Sequence, residues 1–210
     1  MLQNRTILVT GANGALGKRV CAVAEGYGAR VQRLDIAFAE SDETTHAIDL
    51  TDPAATGELL TRLAPFDGIF NLAGGFAMGA PTWDSSDDDW QRMFALNVTT
   101  TRNMVKAAVP LLLENGGGSI VNVGAYGARE GLAQMSAYCA SKSVVMRLTE
   151  SLANELRHRG VNVNAVLPTV IDTPANREGM PDADFSEWVS PDELANVICF
   201  LASRGASAVH

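Results

Sequence analysis

The feature that most constrains this chain lies near its start. The apolar run Ile7-Leu8-Val9, inside Arg5 to Thr10, leads directly into Gly11-Ala12-Asn13-Gly14-Ala15-Leu16-Gly17. Val20, Val23 and Ala24 then recur at helical spacing. A short unbroken apolar run suits a parallel strand buried on both faces. Strand, Gly-rich turn and helix in that order open a unit built to hold a dinucleotide. Gly11 and Gly14 let the backbone turn tightly and approach a pyrophosphate, with Asn13, Ala15 and Leu16 lining the same turn. Gly17 lets the helix sit close to the strand, and the free N–H groups at the helix start face phosphate.

The chain downstream repeats the alternation. A second strand, Ala29 to Leu34, ends at Asp35, where a carboxylate can accept hydrogen bonds from both ribose hydroxyls of an adenosine. The same charge repels a 2′-phosphate and so favours NADH. Arg33 falls on the same side of the strand as Asp35 and leaves room for NADPH. His46 to Leu50 reads as a short third strand ending at Asp49, and Asp52-Pro53 opens a helix through Leu59, Leu60 and Leu63. Asp67 to Leu72 is the fourth strand and runs into Ala73-Gly74-Gly75-Phe76, where glycines again admit a ligand to the backbone. Ser86 with Asp87, Asp88 and Asp89 starts a long helical region that reaches Glu114, with a break near Asn97. Ser119 to Val123 and Val161 to Val166 supply the fifth and sixth strands. Strands alternating with helices predict an α/β, Rossmann-like, doubly wound parallel sheet, in a single domain over 1–210.

Between the last two strands, Met135, Val145, Leu148, Leu152 and Leu156 place a helix over Ala133 to Arg159. Tyr138 and Lys142 are i and i+4 neighbours on it, about 5–6 Å apart. An ammonium beside a phenol favours the phenolate and eases release of its proton. Alone, that spacing usually marks a solvated helix face. Pro168 to Val189 has little periodicity and is rich in Pro, Asp and small residues, which predicts a substrate lid at about 168–190. Ser190-Pro191-Asp192-Glu193 reads as a capping box for a last helix ending near Ala202.

Charge and composition exclude several functions. A net charge of −8 argues against partners that are nucleic acid or anionic membrane. No apolar run approaches the roughly 20 residues that cross a bilayer, and Met1 to Arg5 leaves no room for a signal peptide. Cys21, Cys139 and Cys199 are odd in number and scattered, so neither a disulfide framework nor a metal site is expected, as suits a cytoplasmic protein.

Together these residues resemble the short-chain dehydrogenase/reductase family, over essentially the whole chain. Thr10 to Gly17 is similar to its cofactor loop, and Asp49 with Leu50 to the segment beside the adenine. Asn71-Leu72-Ala73-Gly74 is similar to its Asn-Asn-Ala-Gly segment. Asn97 matches its helix asparagine, Tyr138 and Lys142 its catalytic pair, and Pro168, Val170 and Thr173 the segment flanking the nicotinamide. The resemblance implies hydride transfer from NADH to a small-molecule substrate. In that scheme Tyr138 donates the proton, Lys142 lowers its pKa and binds the nicotinamide ribose, and Asn97 holds a water for proton resupply. It also implies a homodimer or homotetramer packed through the Asn97 and Tyr138 helices. Met104, Val105, Ala108 and Leu112, with Val144, Leu148 and Leu152, are the apolar positions there.

Two departures shape the expected chemistry. Ala15 stands at the middle glycine of the loop, a small exchange. The family's catalytic serine falls at Ala125, so a donor to the substrate oxygen is missing, and Ser136 points elsewhere on the helix. Dihydropteridine reductases of this family are similar at Gly124-Ala125, at Gly14-Ala15-Leu16-Gly17, at Phe76 and along the lid, although Asn97 departs from them. This likeness implies an electron-poor C=N or C=O substrate such as a quinonoid dihydropterin. A general carbonyl or 3-oxoacyl-type reductase and a catalytically silent dinucleotide sensor are the alternatives. The family's usual last strand has no counterpart through Ala208-Val209-His210, which leaves the sixth strand at a sheet edge.

Overall fold

A computed structural model describes residues 1–40 and 42–210. Six parallel strands form one sheet in the order β3-β2-β1-β4-β5-β6: β1 Thr6–Thr10, β2 Arg30–Asp35, β3 Thr45–Ala47, β4 Gly68–Asn71, β5 Gly118–Val123 and β6 Val161–Val166. The chain leaves β1 towards β2 on one side and returns to β4 on the other. The C-terminal ends of β1 and β4 therefore frame the crevice in which open α/β sheets hold ligands.

Helices cover both faces. On one, α1 (Ala15–Gly26) and α7 (Pro191–Leu201) bury Val20, Ala24, Leu194 and Ile198 against Ile7, Val9, Phe70 and Val121. On the other, α2 (Pro53–Leu63), α4 (Thr100–Glu114) and α5 (Ser136–Leu156) pack Leu60, Met104, Leu112 and Leu156 on Leu8, Ile69, Ile120 and Val163. Side chains alternate across a strand, so β1, β4, β5 and β6 each supply both cores.

The helix starts follow their caps. Asp52 accepts from the N–H groups of Ala54 and Ala55, and Ser86 accepts from Asp89 N–H at the head of α3 (Asp87–Phe94). Ser190 precedes Pro191 as expected, but its side chain makes no capping bond, so the capping box is absent. The break near Asn97 is a π-helical turn, Ala95–Thr99, joining α3 to α4.

Three expectations are corrected. The third strand covers Thr45–Ala47 only, because Asp49 turns back to bond Thr51 and leaves the ladder. The Tyr138 helix is Ser136–Leu156, shorter at both ends than 133–159. Met104, Val105, Ala108, Leu112 and Leu152 share the helical faces that pack on the sheet, so they are core and cannot meet a second copy. Val144 is exposed and Leu148 half-buried.

Candidate active site

Sterics of the backbone set the dinucleotide half of the crevice. Gly11 takes a left-handed φ of 65°, and a Cβ at position 17 would overlap the Gly11 carbonyl. Gly14 caps α1 without a side-chain bond, and the first turn carries no acidic residue. Its N–H groups and the positive end of the helix dipole remain available to an anion. Beside the turn, Thr10 Oγ1 accepts from the N–H groups of Leu72 and Ala73, both at 3.0 Å. One hydroxyl thus fixes the spacing between the two ligand-facing loops.

Asp35 lies at the far end of this turn. Its carboxylate accepts from Asn13 N–H at 2.8 Å and Ile36 N–H at 2.7 Å. Asn13 Nδ2 donates to the Ala37 carbonyl. Arg33 donates to Thr44 Oγ1 at 2.9 Å and pairs with Glu25. That guanidinium is committed to Thr44 and Glu25. Asp49 is exposed, and bonds from the Thr51 hydroxyl and N–H hold its carboxyl below the usual range. Leu50 is buried, and Asn103 Nδ2 donates to the carbonyls of Leu50 and Thr51 at 3.0 and 3.1 Å. The uncapped helix start, the glycine turn and the terminal Asp35 together fit a dinucleotide.

Past β4, Ala73, Gly74 and Gly75 run over the π turn. A Cβ on Gly74 would meet Asn97 Oδ1 at 2.6 Å and Lys142 Nζ at 3.3 Å, so only glycine lets these groups converge. Asn97 is buried and grips Gly75 twice. Its Oδ1 accepts from Gly75 N–H at 2.9 Å, and its Nδ2 donates to Gly75 O at 3.1 Å. Tyr138 packs against Ala125, Ala128, Cys139 and Met146, and Phe76 meets its ring edge-on at 4.9 Å between centroids. Phe76 is 53% exposed, so it forms a partial roof.

The expected lowering of the Tyr138 pKa is not found here. Burial pushes the phenol up to about 12, with Cys139 adding to it. Lys142 is buried, which lowers its pKa to about 8, and its Nζ donates to the Val123 carbonyl at 2.8 Å. The ammonium is anchored on the sheet rather than on the phenol, so desolvation outweighs its field. Ala125 is buried beside Tyr138, as the serine position should be, whereas Ser136 heads the helix.

The stretch 168–190 is more ordered than its composition suggested. The Pro168 carbonyl accepts from Tyr126 N–H, and Val170 and Asp172 bond to the Val189 backbone, closing the base. Thr173 caps α6 (Pro174–Gly179) through Asn176 N–H. Arg177 forks onto Asp172 at 2.5 and 2.7 Å and lies 4.6 Å from the Phe185 ring, which packs on Trp188. Trp188 is thus a packing partner of Phe185. Asn103 and Ser141 are functional-site neighbours that the sequence motifs do not mark. The available signal was a polar residue at a buried helical position.

No helix among the described residues is long and apolar enough to cross a membrane. The short chain dehydrogenase family model matches residues 5–184. D-threitol dehydrogenase of Mycolicibacterium smegmatis is 32% identical, over 100% of this chain and 90% of its own. The 2-dehydro-3-deoxy-L-rhamnonate dehydrogenase (NAD(+)) of a Sphingomonas species is 31% identical, over 97% and 90%. A Beutenbergia cavernae crystal structure, described as a candidate NAD(P) dependent gluconate 5-dehydrogenase with bound NADP at low occupancy, superposes with a TM-score of 0.90. It is 27% identical, over 100% of this chain and 93% of its own. These relatives give no support to the dihydropteridine reductase subgroup, whose likeness rested on short motifs rather than on whole-length identity. The fold, the dinucleotide crevice and these matches place the chain in the short-chain dehydrogenase family, as an NAD(P)-dependent oxidoreductase.

Proposed function

We propose that this oxidoreductase interconverts a carbonyl and a hydroxyl on a small molecule, with Tyr138 moving the proton at the substrate oxygen. The observation that carries the reading is the convergence of Asn97, Gly74 and Lys142 within one turn of Tyr138, at the mouth of the dinucleotide crevice. Gly11, Asn13, Gly14, Ala15, Leu16 and Gly17 would hold the pyrophosphate, and Asp35 the adenosine ribose, in favour of NADH. Asp49 and Leu50 would border the adenine. Ala73, Gly74, Gly75, Lys142, Pro168, Val170 and Thr173 would border the nicotinamide end. The bound dinucleotide supplies the two-electron hydride equivalent.

The chain's own groups do the rest. Tyr138 is a neutral phenol near pH 7, and burial raises its pKa further, so it enters a reduction as an acid. Burial lowers the Lys142 pKa to about 8, so this ammonium gives up a proton more readily than an ordinary lysine. Ala125 gives no second donor to the forming oxyanion, so carbonyls activated by conjugation or an adjacent electron-withdrawing group suit the site best. Residues 168–190 act as the lid over the substrate, and Phe76 offers an apolar surface above the phenol.

A panel assay tests this reading. Purified protein should oxidise NADH with activated ketones and diketones, and reduce NAD⁺ with the matching alcohols. Tight NADH binding without turnover on any of them would instead favour a sensor.

A further inference from the structure

The side chain of Ser141 lies between the two catalytic candidates on α5 and touches neither functional group. It is fully buried. Its hydroxyl donates to the Tyr138 carbonyl at 2.8 Å and accepts from Asn97 Nδ2 at 2.9 Å. Asn97 in turn holds the Gly75 N–H and carbonyl. A serine inside a helix needs no partner beyond a carbonyl of its own preceding turn. Here the lone pair is used as well, by an amide on a different helix.

We infer that Ser141 is a positioning residue for Tyr138, tying the turn that carries the phenol to Asn97 and through it to the Gly75 loop flooring the crevice. This rests on Tyr138 as the proton donor. The Asn97 amide has two N–H groups and one carbonyl oxygen, and Gly75 and Ser141 use all of them. Removing the Ser141 hydroxyl leaves that buried Asn97 N–H with only a weak sulfur acceptor, Met93 Sδ at 3.9 Å. The consequence is felt at Gly75, on another segment of the chain, as well as at Tyr138. Buried networks of this kind polarise and stiffen one another, so their loss reaches further than one bond.

Ser141→Cys and Ser141→Ala separate volume from hydrogen bonding. Cysteine fills the serine's space with a weak donor and acceptor, so that variant keeps the packing. Hydrogen exchange of the free protein reads the link without any substrate. In both variants the amides of residues 73–78 should exchange about tenfold faster, together with the first turn of α5. On a carbonyl that the parent reduces, kcat at saturating NADH should fall about tenfold while the NADH binding stoichiometry stays at the parental value. Parental exchange at 73–78 in Ser141→Cys would overturn the inference, whatever turnover does. If the parent reduces no carbonyl at all, the proposed function fails instead, and the exchange result still decides the role of Ser141.

Discussion

The dinucleotide half of the crevice, Thr10 to Gly17 with Asn71 to Gly75, is set by backbone meeting backbone, whereas the half proposed to hold substrate is built from exposed side chains. In the first, Gly17 and Gly74 sit where any Cβ would collide, and Thr10 and Asn97 bond main-chain groups. In the second, Phe76 leans on Tyr138, Arg129 lies over the half-exposed Tyr126 ring, and Arg177 bridges Asp172 and Phe185. The first can be rigid before any ligand arrives. The second costs little to rearrange, because exposed ion pairs are screened by solvent and a single aromatic contact is worth only about 0.5–1.5 kcal/mol.

The largest effect should follow from breaking the rigid half. Gly17→Ala puts a methyl into the Gly11 carbonyl, and NADH affinity should drop by at least about 10³-fold, equivalent to ~4 kcal/mol. Calorimetric titration of folded variant checks it. Near-parental affinity would mean that the turn is softer than the contrast requires.

Next in size is the buried ammonium of Lys142. The unfolded chain keeps that proton up to about 10.5 and the folded chain only to about 8, so stability rises as pH climbs between them. Below pH 8 the cost is fully present, at roughly 3 kcal/mol for the whole shift. Lys142→Met should therefore be more stable than the parent at pH 7, and the gap should narrow towards pH 10. Denaturant unfolding of both proteins at several pH values measures this. Above pH 10 the raised Tyr138 pKa acts in the opposite sense and removes stability.

Asp35 sharpens the comparison at the rim of the rigid half. Its carboxylate already orders Asn13 and Ile36, and Arg33 is held by Glu25 and Thr44. Asp35→Asn should move the NADH/NADPH affinity ratio towards NADPH by about tenfold, ~1.4 kcal/mol, measured by paired titrations. An unchanged ratio would separate Asp35 from the choice of dinucleotide.

The smallest effect belongs to the soft half. Phe76→Ala removes the edge-on contact with Tyr138 and should raise substrate KM several-fold, in line with about 1 kcal/mol for an aromatic pair, while NADH affinity stays put. Steady-state kinetics separates the two constants. A change in NADH affinity instead would place Phe76 with the cofactor.

The same contrast explains what could be read in the sequence. Gly11, Gly14, Gly17, Gly74 and Asp35 were legible because backbone sterics and a strand's last carboxylate restrict residue type at fixed positions. The sheet was legible because Ile7-Leu8-Val9 and its counterparts are apolar on both faces. Three-dimensional packing hid the rest. Met104 and Leu112 were assigned to an association face by family resemblance, and an apolar residue on a helix does not say what covers it. Lys142 looked like a partner for the phenol because spacing on a helix does not reveal that its Nζ reaches Val123 on the sheet. Ser141 and Asn103 gave only the faint signal of a polar residue on a buried face. Phe76, the exposed side chain proposed to meet substrate, lies in a loop that no period constrains.

Tyr138→Phe tests the central claim most directly. The variant keeps the ring packed between Phe76 and Ala125 and loses only the phenolic hydroxyl. On any carbonyl that the parent reduces, turnover should fall by about 10²–10⁴, the usual contribution of a positioned acid, while NADH affinity is unchanged. Full turnover in Tyr138→Phe on every such substrate would contradict the assignment of Tyr138 as the proton donor.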